Sequence, residues 1–172
     1  MSTGPSDIGS RSLEMTLPFF PPSENNIRVI RWGRKGGKSR PLGMTWSTPA
    51  KKFQSAFRDF VTKTYPVEVQ EFVRDHGTES IYALTVYLYL PLVNKGWLKG
   101  TAKSLYKRVD AGNRRKLVED CLSTALGIDD SLFFDVRLLK LSVEDGEEPW
   151  VELFLESKDP RDYGVPDNYL GR

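Results

Sequence analysis

The sequence predicts an α+β fold, a small mixed or antiparallel sheet packed by helices in the order β-α-α-β-α-β-β. Three observations lead there. Segments with period-two apolar alternation are interspersed with segments whose apolar residues recur at helical spacing. One apolar run, "IYALTVYLYLPL" from Ile81, is long enough to be a central strand. With 172 residues, 39% of them apolar and 12% aromatic, the chain has material for one well-packed domain.

Taken in order, residues 1–12 are rich in Ser and Gly and form a tail. The domain spans 13–156, and a polar tail runs from 157 to 172. Leu13, Met15 and Leu17 alternate with Glu14 and Thr16 as in a strand, which "PPSENN" stops. A long basic loop follows. Ser47 then caps a helix that has Pro49 in its first turn and Phe53, Ala56, Phe57, Phe60 and Val61 at helical spacing. "VEVQEFVRDHG" makes a weaker second helix, and the central strand from Ile81 comes next. After a second basic loop, Leu117, Val118, Cys121, Leu122 and Ala125 form the core stripe of a third helix, ended by Gly127. Two last strands, "SLFFDVRLLKLSV" and "PWVELFLES", flank Glu144-Asp145-Gly146-Glu147-Glu148, a turn signal that predicts an antiparallel hairpin.

The net charge of +2 conceals strong segregation. Between Asn25 and Lys52 lie eight cations and no acid, among them Arg28 and Arg31. Between Asn94 and Lys116 lie eight more, including Lys103, Lys107, Arg108, Arg114 and Arg115, against Asp110 alone. From Leu141 onward nine acids face three cations. Such separation is the footprint of a polyanion-binding face with an acidic far side. Solvated loops are the plainer account of either block.

Several chemistries are set aside. "GRKGGKS" fails as a phosphate loop because Trp32 stands where the first Gly is required. His76 is the single histidine and sits beside Gly77 near a helix end, a poor basis for nucleophilic catalysis. Cys121, the single cysteine, lies on a core stripe; it permits no intrachain disulfide and fits a reducing, cytoplasmic setting. No apolar run approaches about 18 residues, so neither a membrane span nor a signal peptide is expected.

Carboxylates at element edges remain. Asp110 stands just ahead of the third helix; Asp129 and Asp130 stand just ahead of the next strand. Asn113, Lys116 and Asp120 share one helix stripe at three-and-four spacing. Carboxylates converging without Cys or His make a hard oxygen site suited to Mg²⁺ or Mn²⁺. Taken singly, Asp110 is equally well a helix N-cap, and Asp129-Asp130 a turn.

In order and spacing, "LPFFPPSENN", "KRVDAGNRRKLVEDCL" and "LGIDDSLFFDVRLLK" resemble the RusA family of Holliday-junction resolvases over roughly residues 13–155. Asp110, Asn113, Lys116, Asp120, Leu122, Asp129 and Asp130 fall on the family pattern, as do Pro21, Pro22, Ser23, Asn25 and Asn26. One departure stands out: Gly112 replaces an expected metal carboxylate. The resemblance implies a homodimer that binds a four-way DNA junction and cuts two strands symmetrically with Mg²⁺, in recombination and repair. Asp110 and Asp130 are then the metal ligands, with Asp129 substituting for the missing carboxylate. Lys116 contacts the scissile phosphate and Asp120 orients it. DNA contacts are expected from Asn25, Asn26, Arg28, Arg31, Lys103, Lys107, Arg108, Asn113, Arg114 and Arg115. Arg114, Arg115 and Lys116 crowd a helix start where the dipole favours acids, so DNA phosphate is the expected compensating anion. The alternative is a junction- or branched-DNA-binding protein of the same fold that has lost cutting. An RNA-binding module stacking bases on the aromatic strand is a more distant third.

Overall fold

The computed structural model describes residues 12–22, 27–35, 37–77, 80–97, 99–107, 109, 111–144 and 146–169. Of the expected site residues, Asn25, Asn26, Arg28's neighbour segment 23–26, Arg108 and Asp110 bear on this limit: all but Arg28 itself lie outside the described residues.

A four-stranded sheet carries the core, with strands β1 (Ser12–Leu17), β4 (Ile81–Leu90), β5 (Phe133–Ser142) and β6 (Trp150–Lys158) in the order β1-β6-β4-β5. Alternation works as the sequence implies: Leu13, Met15 and Leu17 of β1, with Val151, Leu153 and Leu155 of β6, point into the core. Three helices supply the other side of that core, α1 (Thr48–Thr64), α2 (Pro66–His76) and α3 (Gly112–Leu126). Ser47 caps α1 by accepting a hydrogen bond from Ala50 N at 3.2 Å, and Ala50, Phe53, Phe57 and Val61 are its buried face. Ala56 is exposed, one position off that stripe. α3 stops at Gly127, whose left-handed φ of 67° suits a residue without Cβ.

The aromatic run is central, as expected. β4 lies between β6 and β5, with Tyr82, Leu84, Val86, Leu88 and Leu90 buried in the core. Its other face carries Thr85, Tyr87 and Tyr89; Tyr89 stacks on Trp150 at 4.4 Å and donates to Glu152 Oε2 at 2.8 Å. These aromatics are therefore half-buried sheet residues.

Two expectations are corrected. The long basic loop is a two-stranded ribbon, β2 (Arg28–Lys35) and β3 (Lys38–Trp46), forming a separate sheet. The element order is thus β-β-β-α-α-β-α-β-β. Lys35 pairs with Lys38, and the sequence between them is Gly-Gly, a pair that hairpins favour; Pro41 and the density of cations hide the alternation. The second correction concerns the last two strands, which are not a hairpin. β5 pairs with β4 in parallel, and β6 pairs with the other edge of β4 antiparallel. With α3 crossing between β4 and β5, one edge of β4 is taken before β6 arrives, and the acidic turn bridges over its end. Past β6, the chain makes short 3-10 turns at Pro160–Tyr163 and Asp167–Tyr169, and Tyr163 packs edge-on against Phe134 at 5.9 Å.

Candidate functional site

The start of α3 and the turn before β5 meet at Lys116. Its Nζ is 3.0 Å from Asp120 Oδ1 and bonds Asp130 Oδ2, so one ammonium joins a helix stripe to the turn at Asp130–Leu132. The Asp130 contact foremost, with the Asp120 contact, pushes the lysine pKa up, and the side chain is half exposed. Asp129 accepts from Ser131 N at 2.8 Å and caps the short turn; the Ser131 side chain foremost, with that backbone bond, holds its carboxyl below the usual carboxylate range. Asp129 is thereby fixed beside Asp130 with its carboxylate exposed to solvent.

Each of the three crowded cations has a protein partner. Arg114 donates from Nε to Pro22 O at 3.2 Å and lies over the Phe20 ring at 5.2 Å, tying α3 to the segment that leads into the ribbon. Arg115 Nε is 3.1 Å from Glu119 Oε1, close enough to ion-pair but not aligned for a hydrogen bond. Lys116 has its two aspartates. Carboxylates within the chain therefore compensate Arg115 and Lys116, while Arg114 meets a carbonyl and a ring.

Glu119 was not foreseen. It is 7% exposed, and burial pushes its pKa up against the pull of Arg115 and Lys116. Helical spacing puts it beside the polar stripe, and no feature of the sequence signals its burial. Cys121 is core, with burial raising its thiol to about 12, so it is not a nucleophile. His76 ends α2 and rests against the Phe72 ring at 5.0 Å.

The N-cap position of α3 is Ala111, which offers no side-chain cap. Lys140, from the edge strand β5, donates to Val109 O at 3.0 Å and pins the backbone just ahead of Asp110. No sequence signal links two residues so far apart. Asn113 is exposed on the first turn of α3.

The two basic blocks differ in build. On the ribbon, Arg28 lies over Trp46 at 4.6 Å, while Arg31, Arg34, Lys38 and Arg40 are exposed. Between them Ile30, Trp32, Leu42 and Met44 are also more than half exposed. The second block is a loop pinned at its base by Asn94 N to Leu105 O and Lys107 N to Leu92 O, each 2.8 Å; Lys95, Lys99 and Lys103 project from it, and Lys107 is half-buried.

Among the described residues no three carboxylate, His or Cys groups lie close enough to hold a metal ion together. Asp120 and Asp130 do converge, on the Lys116 ammonium, which stands where a cation between two carboxylates would stand. No helix among the described residues is long and apolar enough to cross a membrane. No protein-family model matches this chain, and no curated protein does.

Proposed function

We propose that the chain is a Mg²⁺-dependent, structure-specific DNA endonuclease of the RusA type that resolves four-way junctions by paired cuts as a homodimer. The observation that carries this reading is the Lys116 ammonium held between Asp120 and Asp130, in a chain that also presents two cation-rich surface elements. The ribbon and the pinned loop offer phosphate-binding surface, and the lysine cluster offers chemistry.

Lys116 acts here as a cation. Its raised pKa keeps the proton on Nζ through neutral and mildly alkaline pH, so it stabilises charge on a phosphoryl oxygen and is no general base. Asp120 holds the ammonium from one side and fixes its direction. The hard oxygen donors of Asp129 and Asp130 suit a divalent ion, and with Asp110 they would hold it. When bound, that ion supplies Lewis-acid polarisation and a nucleophile at neutral pH. Ligation would compete with Lys116 for Asp130 and free the ammonium to turn toward substrate. Two sites related by two-fold symmetry match paired cuts in a two-fold junction.

The second reading, a DNA binder that has lost cutting, is favoured by Gly112, which stands where the family pattern has a carboxylate. Incubating a labelled four-way junction with protein and Mg²⁺, then with EDTA, separates the two. Paired nicks that vanish with EDTA support the endonuclease; a mobility shift without nicks supports the binder; neither nick nor shift rejects both.

A further inference from the structure

An open groove of about 470 Å³ runs between α1 and α3. From α1 it is lined by Lys51, Gln54, Ser55 and Arg58, and from α3 by Asp120, Cys121 and Thr124. The four α1 residues follow three-and-four spacing on the flank of the buried Phe53-Phe57 face, so they form one stripe whose polar groups all can donate hydrogen bonds. Lys51 makes no ion pair among the described residues, and the one contact of Arg58 is an exposed 3.4 Å pair with Asp59. The single acid in the groove, Asp120, already holds Lys116. An otherwise cationic donor stripe thus ends at the lysine cluster.

We propose that this groove seats one strand of the DNA backbone and leads it to Lys116, with Lys51 and Arg58 as phosphate contacts. The inference rests on the nuclease or DNA-binding reading above. Seven residues of helix rise about 10.5 Å, which matches about three phosphate-to-phosphate steps of one B-DNA strand at about 3.4 Å of axial rise each. Lys51 and Arg58 are therefore spaced to take phosphates at the two ends of a short tract lying along the helix, with Ser55 and Gln54 facing the stretch between. An open groove without an enclosed apolar floor suits a continuous backbone better than a small molecule, which is usually bound in a concave, mostly apolar pocket.

The test is the salt dependence of binding, followed by fluorescence anisotropy with a labelled four-way junction between 50 and 200 mM salt. Lys51→Ala and Arg58→Ala should each reduce the slope of log K against log[salt] by about 0.9, and the double variant by about twice that. Lys63→Ala, on the same helix but outside the groove, should leave the slope unchanged. Ser55→Glu, which places a negative charge in the groove, should weaken binding more than either single loss. Thermal melting of the five variants checks that these exposed substitutions leave the fold intact. Unchanged slopes for Lys51→Ala and Arg58→Ala, or an equal loss for Lys63→Ala, overturn the groove while leaving the DNA reading in place. Failure of the unsubstituted protein to bind any DNA overturns both.

Discussion

Lys116 is the residue on which the site turns, and its two partners differ in how they can be read. The Asp120 contact follows from i,i+4 spacing on one helix. The Asp130 contact crosses the turn before β5, and no spacing in the sequence signals it. Asp110→Asn and Asp130→Asn should each abolish junction cleavage while keeping or tightening binding, since each removes negative charge that faces phosphate. Gel assays of cutting and anisotropy of binding check this, and parental cutting rates in folded variants would refute the assignment. Gly112→Asp should lower the Mg²⁺ concentration needed for cutting. Glu119 gives a pH prediction. Burial raises its folded pKa, so ionisation costs stability, and that cost sets in as pH rises above the unfolded value of about 4.5. Glu119→Gln should therefore melt higher than the parent at neutral pH, the difference shrinking to nothing as pH falls below about 4.5. A difference independent of pH would mean that loss of the Arg115 contact, not desolvation, dominates.

At the scale of elements, α1 and β4 were legible because each has one strong period. Ser47, Pro49 and the Phe53-Phe57 spacing fix α1 before any packing is considered, and Phe57 is fully buried. Phe57→Ala should cost about 3–5 kcal/mol in chemical denaturation, the usual range for a core Phe. The ribbon was harder to read because both its faces are wet, so no buried face imposes a period on the sequence. The Gly36-Gly37 pair was the one local signal for it. Arg31→Ala, made with Lys103→Ala, should weaken junction binding and flatten its salt dependence by about 0.9 per lost contact. Arg28→Ala also removes the contact with Trp46 at the ribbon base, so it reports on more than charge. Lys158→Ala and Arg161→Ala, both on the acidic side of the chain, should do little.

For the whole molecule, strand content was legible and strand order was not. Local pattern shows that β5 and β6 exist, but which edge of β4 each takes depends on α3 crossing between β4 and β5. The symmetric mechanism requires two copies, so light scattering should report a dimer without DNA; a strict monomer, free and bound, would contradict paired cutting by this chain. The sheet order has a further consequence for biosynthesis. β1 is the first described strand to leave the ribosome, yet among the described residues its sheet partner is β6, the last strand, with Leu13 registered on Leu155. At roughly 5–20 residues per second, the nascent β1 must wait on the order of ten seconds with its Leu13-Met15-Leu17 face unpaired. Pauses in translation before Trp150 should therefore expose this segment to chaperones, and ribosome-stalled chains ending there should be sensitive to protease where full-length chains are resistant.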